Sequence, residues 1–349
     1  MKMNEDAVTR GLVVSLSRDV WMVSVDGAVF PAELSGRFRH TASGGKDYPA
    51  VGDLVLLDRT DGDAGHGQIL GIEPRKSAFV RRAAGTGHEI QVVAANIDTV
   101  FLCMSLNRDY NLRRLERYLA VAWDSGALPV VILTKADLAG DTGERLEEVA
   151  SVAPGVEVIL TSSLEGLGIG ELDRYLQPGK TVAFLGSSGV GKSTLINTLM
   201  GSQVLETGDI REDGRGRHTT TRRELLFLPG GARVIDTPGM RELGLESADT
   251  EKAFGEISLL AGQCRFRDCT HTGEPGCAVL AAVEDGVFSR SRLDSYLKLR
   301  REAGYEGKNS RQIEKEKTDA MFAEFGSRKN ARDYIKGRNR RRGGSGEEE

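Results

Sequence analysis

The N-terminal part of the chain alternates short apolar runs with turn residues. Five runs rich in β-branched and aromatic side chains have the length of strands, and Asp26-Gly27, between the second and third, is a two-residue hairpin signal. The runs cover residues 11–16, 21–25, 28–34, 51–57 and 68–72. Five short strands within about 80 residues predict a small β-barrel, and an OB-fold is the best match at that size. Such a barrel binds oligonucleotides or serves as an adaptor that contacts only protein.

From Ile97 the pattern changes to buried strands alternating with amphipathic helices. The predicted strands are 99–106, 128–137, 156–163, 182–185, 224–229 and 232–239. The predicted helices are 111–123 with Asn111 as its N-cap, 143–153, 169–176 and one that begins after Gly191. This alternation predicts a mostly parallel sheet covered on both faces, with a ligand at the carboxyl ends of the strands. Residues 288–306 again have a helical, basic pattern.

Length and composition limit the class of protein. A chain of 349 residues suggests two or three domains. No apolar run approaches the ~18 residues of a membrane span, and the N-terminus lacks an apolar signal region, so we expect a cytosolic protein with no membrane partner. The net charge of −4 is unevenly distributed, since residues 328–342 hold eight Lys or Arg against one Asp. This basic segment either attracts a phosphate backbone or is a solvated tail.

A glycine-rich segment between a predicted strand and helix carries the clearest chemistry. It comprises Gly186, Ser187, Ser188, Gly189, Val190, Gly191, Lys192, Ser193 and Thr194. Glycines let the backbone offer its N–H groups to a phosphate chain at a helix N-terminus. Lys192 then reaches the outer phosphates and the Ser193 hydroxyl coordinates magnesium. The alternative is a glycine-rich turn without a ligand.

Two later segments match the remaining needs of a magnesium-dependent NTPase. A polar, glycine-rich loop carries threonines at 219–221, and the strand after it ends in Asp236-Thr237-Pro238-Gly239. Asp236 holds magnesium through water, the Gly239 N–H meets the γ-phosphate, and a loop threonine, for which we take Thr220, completes the metal shell.

The base is specified by Thr134-Lys135-Ala136-Asp137. The Asp137 carboxylate accepts hydrogen bonds from guanine N1–H and the 2-amino group, each worth about 1.5 to 3 kcal/mol. Adenine lacks both donors, which argues against an ATP-dependent enzyme. The Lys135 stem lies against the purine, and Thr161, Ser162 and Ser163 supply backbone N–H groups to the guanine oxygen.

Three of the four cysteines are grouped near the C-terminus. Cys264, Cys269, His271 and Cys277 offer three thiolates and one imidazole, a closed tetrahedral set for one structural zinc, although iron can occupy such a site. A disulfide would leave an odd thiol and an unexplained histidine. Cys103 lies alone in an apolar run and is predicted to be a buried core thiol.

These motifs together closely resemble the ribosome small-subunit-dependent GTPase A family. The base-reading motifs precede the phosphate loop, as in a circularly permuted TRAFAC-class GTPase, and the resemblance covers roughly residues 10–300. It implies an α/β fold: an OB-fold barrel (1–82), a circularly permuted P-loop GTPase domain (83–245) and a mainly helical zinc-binding domain with a basic tail (246–349). One departure is Thr134, which stands where the family usually has asparagine.

The resemblance also implies an activity and a partner. We expect a monomer that binds the small ribosomal subunit and its rRNA, hydrolyses GTP to GDP with Mg²⁺ when the subunit stimulates it, and acts in late subunit maturation. The alternative is an RNA- or protein-binding adaptor that uses GTP as a switch with little turnover.

Hydrolysis needs a group that positions the attacking water. Many GTPases have a glutamine after the Asp-x-x-Gly motif, but here that residue is Met240. His218, directly before the loop threonines, has a donor and an acceptor nitrogen suited to the task. The alternative is that His218 contacts an rRNA phosphate or solvent.

Overall fold

The computed structural model describes residues 8–17, 19–42, 44–58, 66–82, 90–107, 109–205, 224–236 and 254–303. Within these ranges no helix has both the length and the apolar character needed to cross a membrane. The described residues belong to a single compact unit that extends to Ala303.

The N-terminal strands close into a five-stranded barrel. They are β1 (Thr9–Ser17), β2 (Val20–Val25), β3 (Ala28–Leu34), β4 (Leu54–Leu57) and β5 (Gly67–Ile72). Their order is β1-β2-β3-β5-β4, and β4 pairs back onto β1. Only β3 and β5 are parallel. Alternate side chains from these strands fill the interior, including Val13, Trp21, Val55 and Ile69. The predicted OB-like barrel is confirmed.

Two elements beside the barrel were not predicted. A short helix, α1 (Gly36–Thr41), begins after Ser35, whose side chain accepts a hydrogen bond from the Phe38 N–H. A hairpin of β6 (Ala78–Arg82) and β7 (Ile90–Ala95) follows the barrel. A helix of six residues is too short to show a period, and β6 ends in two arginines while β7 ends in two alanines, which obscures the strand composition.

The central sheet contains β8 (Thr99–Ser105), β9 (Leu128–Thr134), β10 (Glu157–Leu160), β11 (Thr181–Leu185), β12 (Glu224–Phe227) and β13 (Arg233–Asp236). Its order is β10-β9-β8-β11-β13-β12, and every pair is parallel except β12 with β13. Through the pairing of Glu224 with Ser15, β12 also joins this sheet to the barrel.

This strand order determines where a ligand can bind. The chain moves outwards from β8 to β9 and β10, then returns so that β11 lies on the other side of β8. The direction of winding therefore reverses between β8 and β11. In sheets of this kind the crevice at such a switch point, at the carboxyl ends of the strands, receives the ligand.

The helices of the sheet largely match prediction: α2 (Leu112–Ser125), α3 (Gly143–Val152) and α4 (Lys192–Met200). Asn111 caps α2 by accepting from the Arg114 N–H, as predicted. The helix predicted at 169–176 is present as a shorter 3-10 helix, Gly170–Arg174, with bonds such as Leu172 N–H to Ile169 C=O. Its core-facing residues Ile169, Leu172 and Tyr175 recur at every third position, which is the period of a 3-10 helix.

Three helices, α5 (Gly255–Ala261), α6 (Ala278–Glu284) and α7 (Arg290–Ala303), surround the cysteine cluster. Their apolar core also includes Ala120 of α2. Arg292 of α7 is buried and donates to the Glu116 carboxylate of α2 at 3.1 Å and to the Val152 carbonyl of α3 at 3.1 Å. A buried ion pair thus fixes the C-terminal helices to the sheet domain.

Candidate functional site: a phosphate loop between two strands

The predicted phosphate loop connects β11 to α4 at the switch point. Gly191 is the N-cap of α4 and has a φ of 100°. Residues other than glycine rarely adopt this backbone conformation. At Gly186 an added Cβ would lie 2.5 Å from the Cys103 carbonyl oxygen of β8, so the close approach to this strand requires glycine. Cys103 itself is buried, which confirms the core thiol.

Lys192 turns back over the loop that precedes it. Its ammonium group donates to the carbonyl oxygens of Gly186 at 2.8 Å and Ser187 at 2.6 Å, and the side chain is buried. Ser193 follows Lys192 in the first turn of α4 and is half-buried, and Thr194 is exposed. The positive charge therefore lies at the helix N-terminus, where backbone N–H groups already favour an anion.

The base-reading segment holds the second half of the loop. The Thr134 hydroxyl donates to the Val190 carbonyl at 2.5 Å, and the Lys135 ammonium group donates to the Gly189 carbonyl at 2.8 Å. Lys135 has φ of 59°, which ends β9 at Thr134 rather than at residue 137 as predicted.

The two segments predicted to contact the base are bonded to each other. Ser162 donates from its hydroxyl to the Asp137 carboxylate at 2.6 Å, and the Ala136 N–H donates to the Thr161 carbonyl at 3.1 Å. Thr161 and Ser162 are buried, and Ser163 is half-buried. The carboxylate of Asp137 is thus fixed in direction before any ligand arrives, a contact that sequence reasoning did not anticipate.

The other predicted nucleotide-binding residues divide into two groups. Asp236 is half-buried and ends β13, which is parallel to β11, so its carboxylate lies at the same edge of the sheet as the phosphate loop. A serine hydroxyl and a carboxylate are hard oxygen ligands of the kind that Mg²⁺ prefers, which fits Ser193 and Asp236. The predicted His218, Thr220 and Gly239 lie outside the described residues.

Sequence reasoning missed a residue that contacts the loop. Asp109, between β8 and α2, accepts a hydrogen bond from the Ser187 hydroxyl. A polar Asn-x-Asp segment directly after a buried strand was the available signal, but it pointed to the loop only once β8 was known to be the neighbour of β11.

The four predicted metal ligands lie together, with their ligand atoms all within 4.8 Å of one another. The Cys264 and Cys277 sulfurs are 3.9 Å apart, and the His271 Nδ1 atom lies 3.6 Å and 3.5 Å from them. Ligands of one tetrahedral zinc would be about 3.8 Å apart for two sulfurs and about 3.5 Å for sulfur and nitrogen. The set therefore fits zinc.

Local contacts prepare this cluster for a metal. Burial lowers the pKa of His271, with Arg300 acting in the same direction, which favours the neutral imidazole that a metal requires. Cys277 is the N-cap of α6, and its sulfur accepts from the Leu280 N–H at 3.4 Å. The intervening turn is closed by Glu274, whose carboxylate accepts from the backbone N–H groups of Thr270, Thr272 and Gly273.

Comparison with known proteins gives consistent results. The sequence profile described as RsgA GTPase matches residues 72–246. A curated relative from Lactiplantibacillus plantarum, named small ribosomal subunit biogenesis GTPase RsgA 2, is 51% identical over 91% of this chain and 90% of its own. A second, from Methanosarcina acetivorans and named small ribosomal subunit biogenesis GTPase RsgA, is 47% identical over 89% of this chain and 85% of its own.

Solved structures agree with the fold. YjeQ from Thermotoga maritima has a TM-score of 0.63 and 30% identity, covering 85% of this chain and 98% of its own. YloQ, described as a circularly permuted GTPase, has a TM-score of 0.61 and 24% identity, covering 87% of this chain and 98% of its own. From these matches and the order of its motifs, the chain belongs to the RsgA GTPase family and is a circularly permuted GTPase.

Proposed function

We propose that this protein binds the small ribosomal subunit and hydrolyses GTP when the subunit stimulates it, as a cytosolic monomer that acts in late maturation of that subunit. The relatives named for small-subunit biogenesis support the role. The observation that carries the enzymatic part is the arrangement of Thr134, Asp137, Ser162, Asp236 and the phosphate loop along one edge of a sheet whose winding reverses there.

We assign guanine recognition to Asp137. Its carboxylate, oriented by Ser162, accepts from the guanine N1–H and 2-amino groups, which adenine cannot match. The stem of Lys135 lies against the purine plane while its ammonium group binds the loop. The backbone N–H of Ser163 is assigned to the guanine oxygen, because those of Ala136, Thr161 and Ser162 donate to the carbonyl oxygens of Thr161, Leu133 and Leu167.

We assign phosphate and magnesium binding to the loop and its neighbours. Backbone N–H groups of 186–194 cradle the phosphates, and Lys192 exchanges its bonds to Gly186 and Ser187 for the outer phosphates. Ser193 and Asp236 hold Mg²⁺, which neutralises charge that develops on the transferred phosphoryl group. Thr220 completes the metal shell, Gly239 contacts the γ-phosphate, and His218 positions the attacking water.

We assign contacts with the ribosome to three parts of the chain: the barrel (1–82), the zinc-binding domain (246–349) and its basic tail. Arg39 in the last turn of α1 adds positive charge beside the barrel. The zinc at Cys264, Cys269, His271 and Cys277 is structural, since four protein ligands leave no open position.

Sedimentation with purified small subunits tests the partner. With a non-hydrolysable GTP analogue, we expect the protein to sediment with small subunits and not with large subunits, and GDP should weaken the association. Equal sedimentation with both subunits, or none, would contradict the proposal.

A further inference from the structure

The phosphate loop is contacted by a residue that follows β8 as well as by residues at the end of β9. Asp109 lies in the connection from β8 to α2, and its Oδ2 atom accepts a hydrogen bond from the hydroxyl of Ser187, the second residue of the loop. The bonds from Thr134 and Lys135 reach Val190 and Gly189, further along. Each half of the loop is therefore held by a different strand end.

The carboxylate of Asp109 is itself firmly fixed. Arg114, in the first turn of α2, donates to the Asp109 Oδ1 atom at 2.7 Å and to its backbone carbonyl at 2.5 Å. The Asn107 side chain accepts from the Asp109 N–H at 3.2 Å and from the hydroxyl of Ser105, a buried residue of β8, at 2.8 Å. These bonds anchor Asp109 to the end of β8 and the start of α2.

The charge arrangement suits a role beside phosphates. A carboxylate near a phosphate site would repel the ligand, but the Arg114 guanidinium beside it offsets that charge. Asp109 and Arg114 are each about one-third exposed, so the pair by itself adds little to stability. A stability role therefore explains the arrangement poorly, whereas orientation of the Ser187 side chain explains it directly.

We propose that Asp109 is a positioning residue that holds the first half of the phosphate loop ready for the nucleotide, acting through Ser187. Binding to a preformed loop avoids the cost of ordering its backbone N–H groups at the moment of binding. This inference rests on the proposed role of residues 186–194 in binding phosphate.

A double-mutant cycle on the full-length protein tests the inference, with the dissociation constant for fluorescently labelled GDP as the readout. We expect Asp109→Ala and Ser187→Ala each to weaken binding about 10-fold, the scale of one hydrogen bond to a charged group. The double variant should be no weaker than the weaker single variant, because both changes remove the same bond. Melting temperatures identify any variant that fails to fold.

Two further variants sharpen the test. Asp109→Asn should bind GDP nearly as the wild type does, because its amide oxygen accepts from Arg114 and its NH₂ group donates to the Ser187 hydroxyl. Asp294→Ala, which removes an exposed carboxylate paired with Arg290 on α7, should leave the affinity unchanged.

The outcomes distinguish a failure of the proposed function from a failure of this inference alone. If wild-type protein fails to bind GDP, the proposed function fails. If wild-type protein binds but the two single effects add in the double variant, or Asp109→Ala behaves like Asp294→Ala, Asp109 does not act through Ser187 and only this inference is overturned. Ser187→Ala tests the same bond from the loop side if Asp109→Ala does not fold.

Discussion

The hydroxyl of Thr134 donates a 2.5 Å hydrogen bond to the backbone carbonyl of Val190, and thereby joins the base-reading strand to the phosphate loop. Thr134 is buried, so removal of the hydroxyl leaves that carbonyl without this donor. We expect Thr134→Val to weaken GDP binding about 10-fold, in line with the cost of an unsatisfied buried acceptor. Thr134→Ser keeps the hydroxyl and is the matched control in the same titration; equal loss in both variants would contradict the role of the bond.

Asp137 determines the base in this account. Asp137→Asn should shift preference from guanine towards xanthine nucleotides, because the amide offers a donor where xanthine carries a 2-oxo acceptor. The measurement is competition between GDP and XDP for the same site. Asp141→Asn, close by in sequence and bonded to the Gly143 N–H, is the control. An unchanged preference with lower stability would mean that Asp137 serves only the local turn.

Part of the fold and of the site can be predicted from local sequence patterns. The phosphate loop, the cap at Asn111 and the cysteine cluster depend on neighbours within about fifteen residues, so local patterns contain the necessary signal. The barrel strands were also predicted, because each has a β-rich composition bounded by turns.

Other features depend on distant parts of the chain meeting. The contact of Asp109 with Ser187 spans 78 residues and exists because β8 and β11 are neighbours, which strand patterns alone cannot tell. Arg292 and Glu116 are 176 residues apart. In the sequence each of them has the pattern of an ordinary charged residue on a helix surface, so their pairing could not be predicted. The 3-10 helix at Gly170–Arg174 depends instead on a local spacing, since Ile169, Leu172 and Tyr175 contact the core at every third position.

Zinc should stabilise the C-terminal helices and not the nucleotide site. Removal of the metal by a chelator should speed amide hydrogen exchange within residues 264–300, since metal binding contributes to folding there. GDP affinity should change little. Elemental analysis should find about one zinc per chain, and Cys277→Ser should lose it; a purified sample without zinc would contradict the assignment.

Arg292 fixes the C-terminal helices to α2 through Glu116. Arg292→Leu removes the ion-pair partner of the buried Glu116 carboxylate, together with a contact to Glu256, and should reduce the free energy of unfolding by about 3 to 5 kcal/mol at pH 8. Urea unfolding followed by tryptophan fluorescence measures the loss. Arg290→Leu, which removes an exposed pair on the same helix, is the control and should cost less than about 1 kcal/mol.

The loss of unfolding free energy caused by Arg292→Leu should depend on pH. Burial already raises the pKa of Glu116 above its ordinary value, although Ser295 and Arg292 oppose the rise. Without Arg292 the folded-state pKa rises further, so the folded variant takes up a proton more readily than the unfolded chain does. Its stability therefore increases as the pH falls, and the deficit against the wild type should shrink between pH 8 and pH 5. A deficit that grows on acidification would contradict the pairing.

Subunit-stimulated turnover separates two roles for His218. If it positions the attacking water, His218→Ala should retain GTP and subunit binding while stimulated turnover falls at least about 100-fold. If it contacts rRNA, subunit affinity should fall and turnover at saturating subunit should survive.

The most direct test of the account is the rate of GTP hydrolysis by the wild-type protein with and without purified small ribosomal subunits. We predict a low basal rate that rises on the order of 100-fold with small subunits, and no such rise with large subunits. Lys192→Ala should abolish the stimulated rate, which excludes a contaminating hydrolase. Turnover that is absent, or that small and large subunits raise equally, would contradict the central claim.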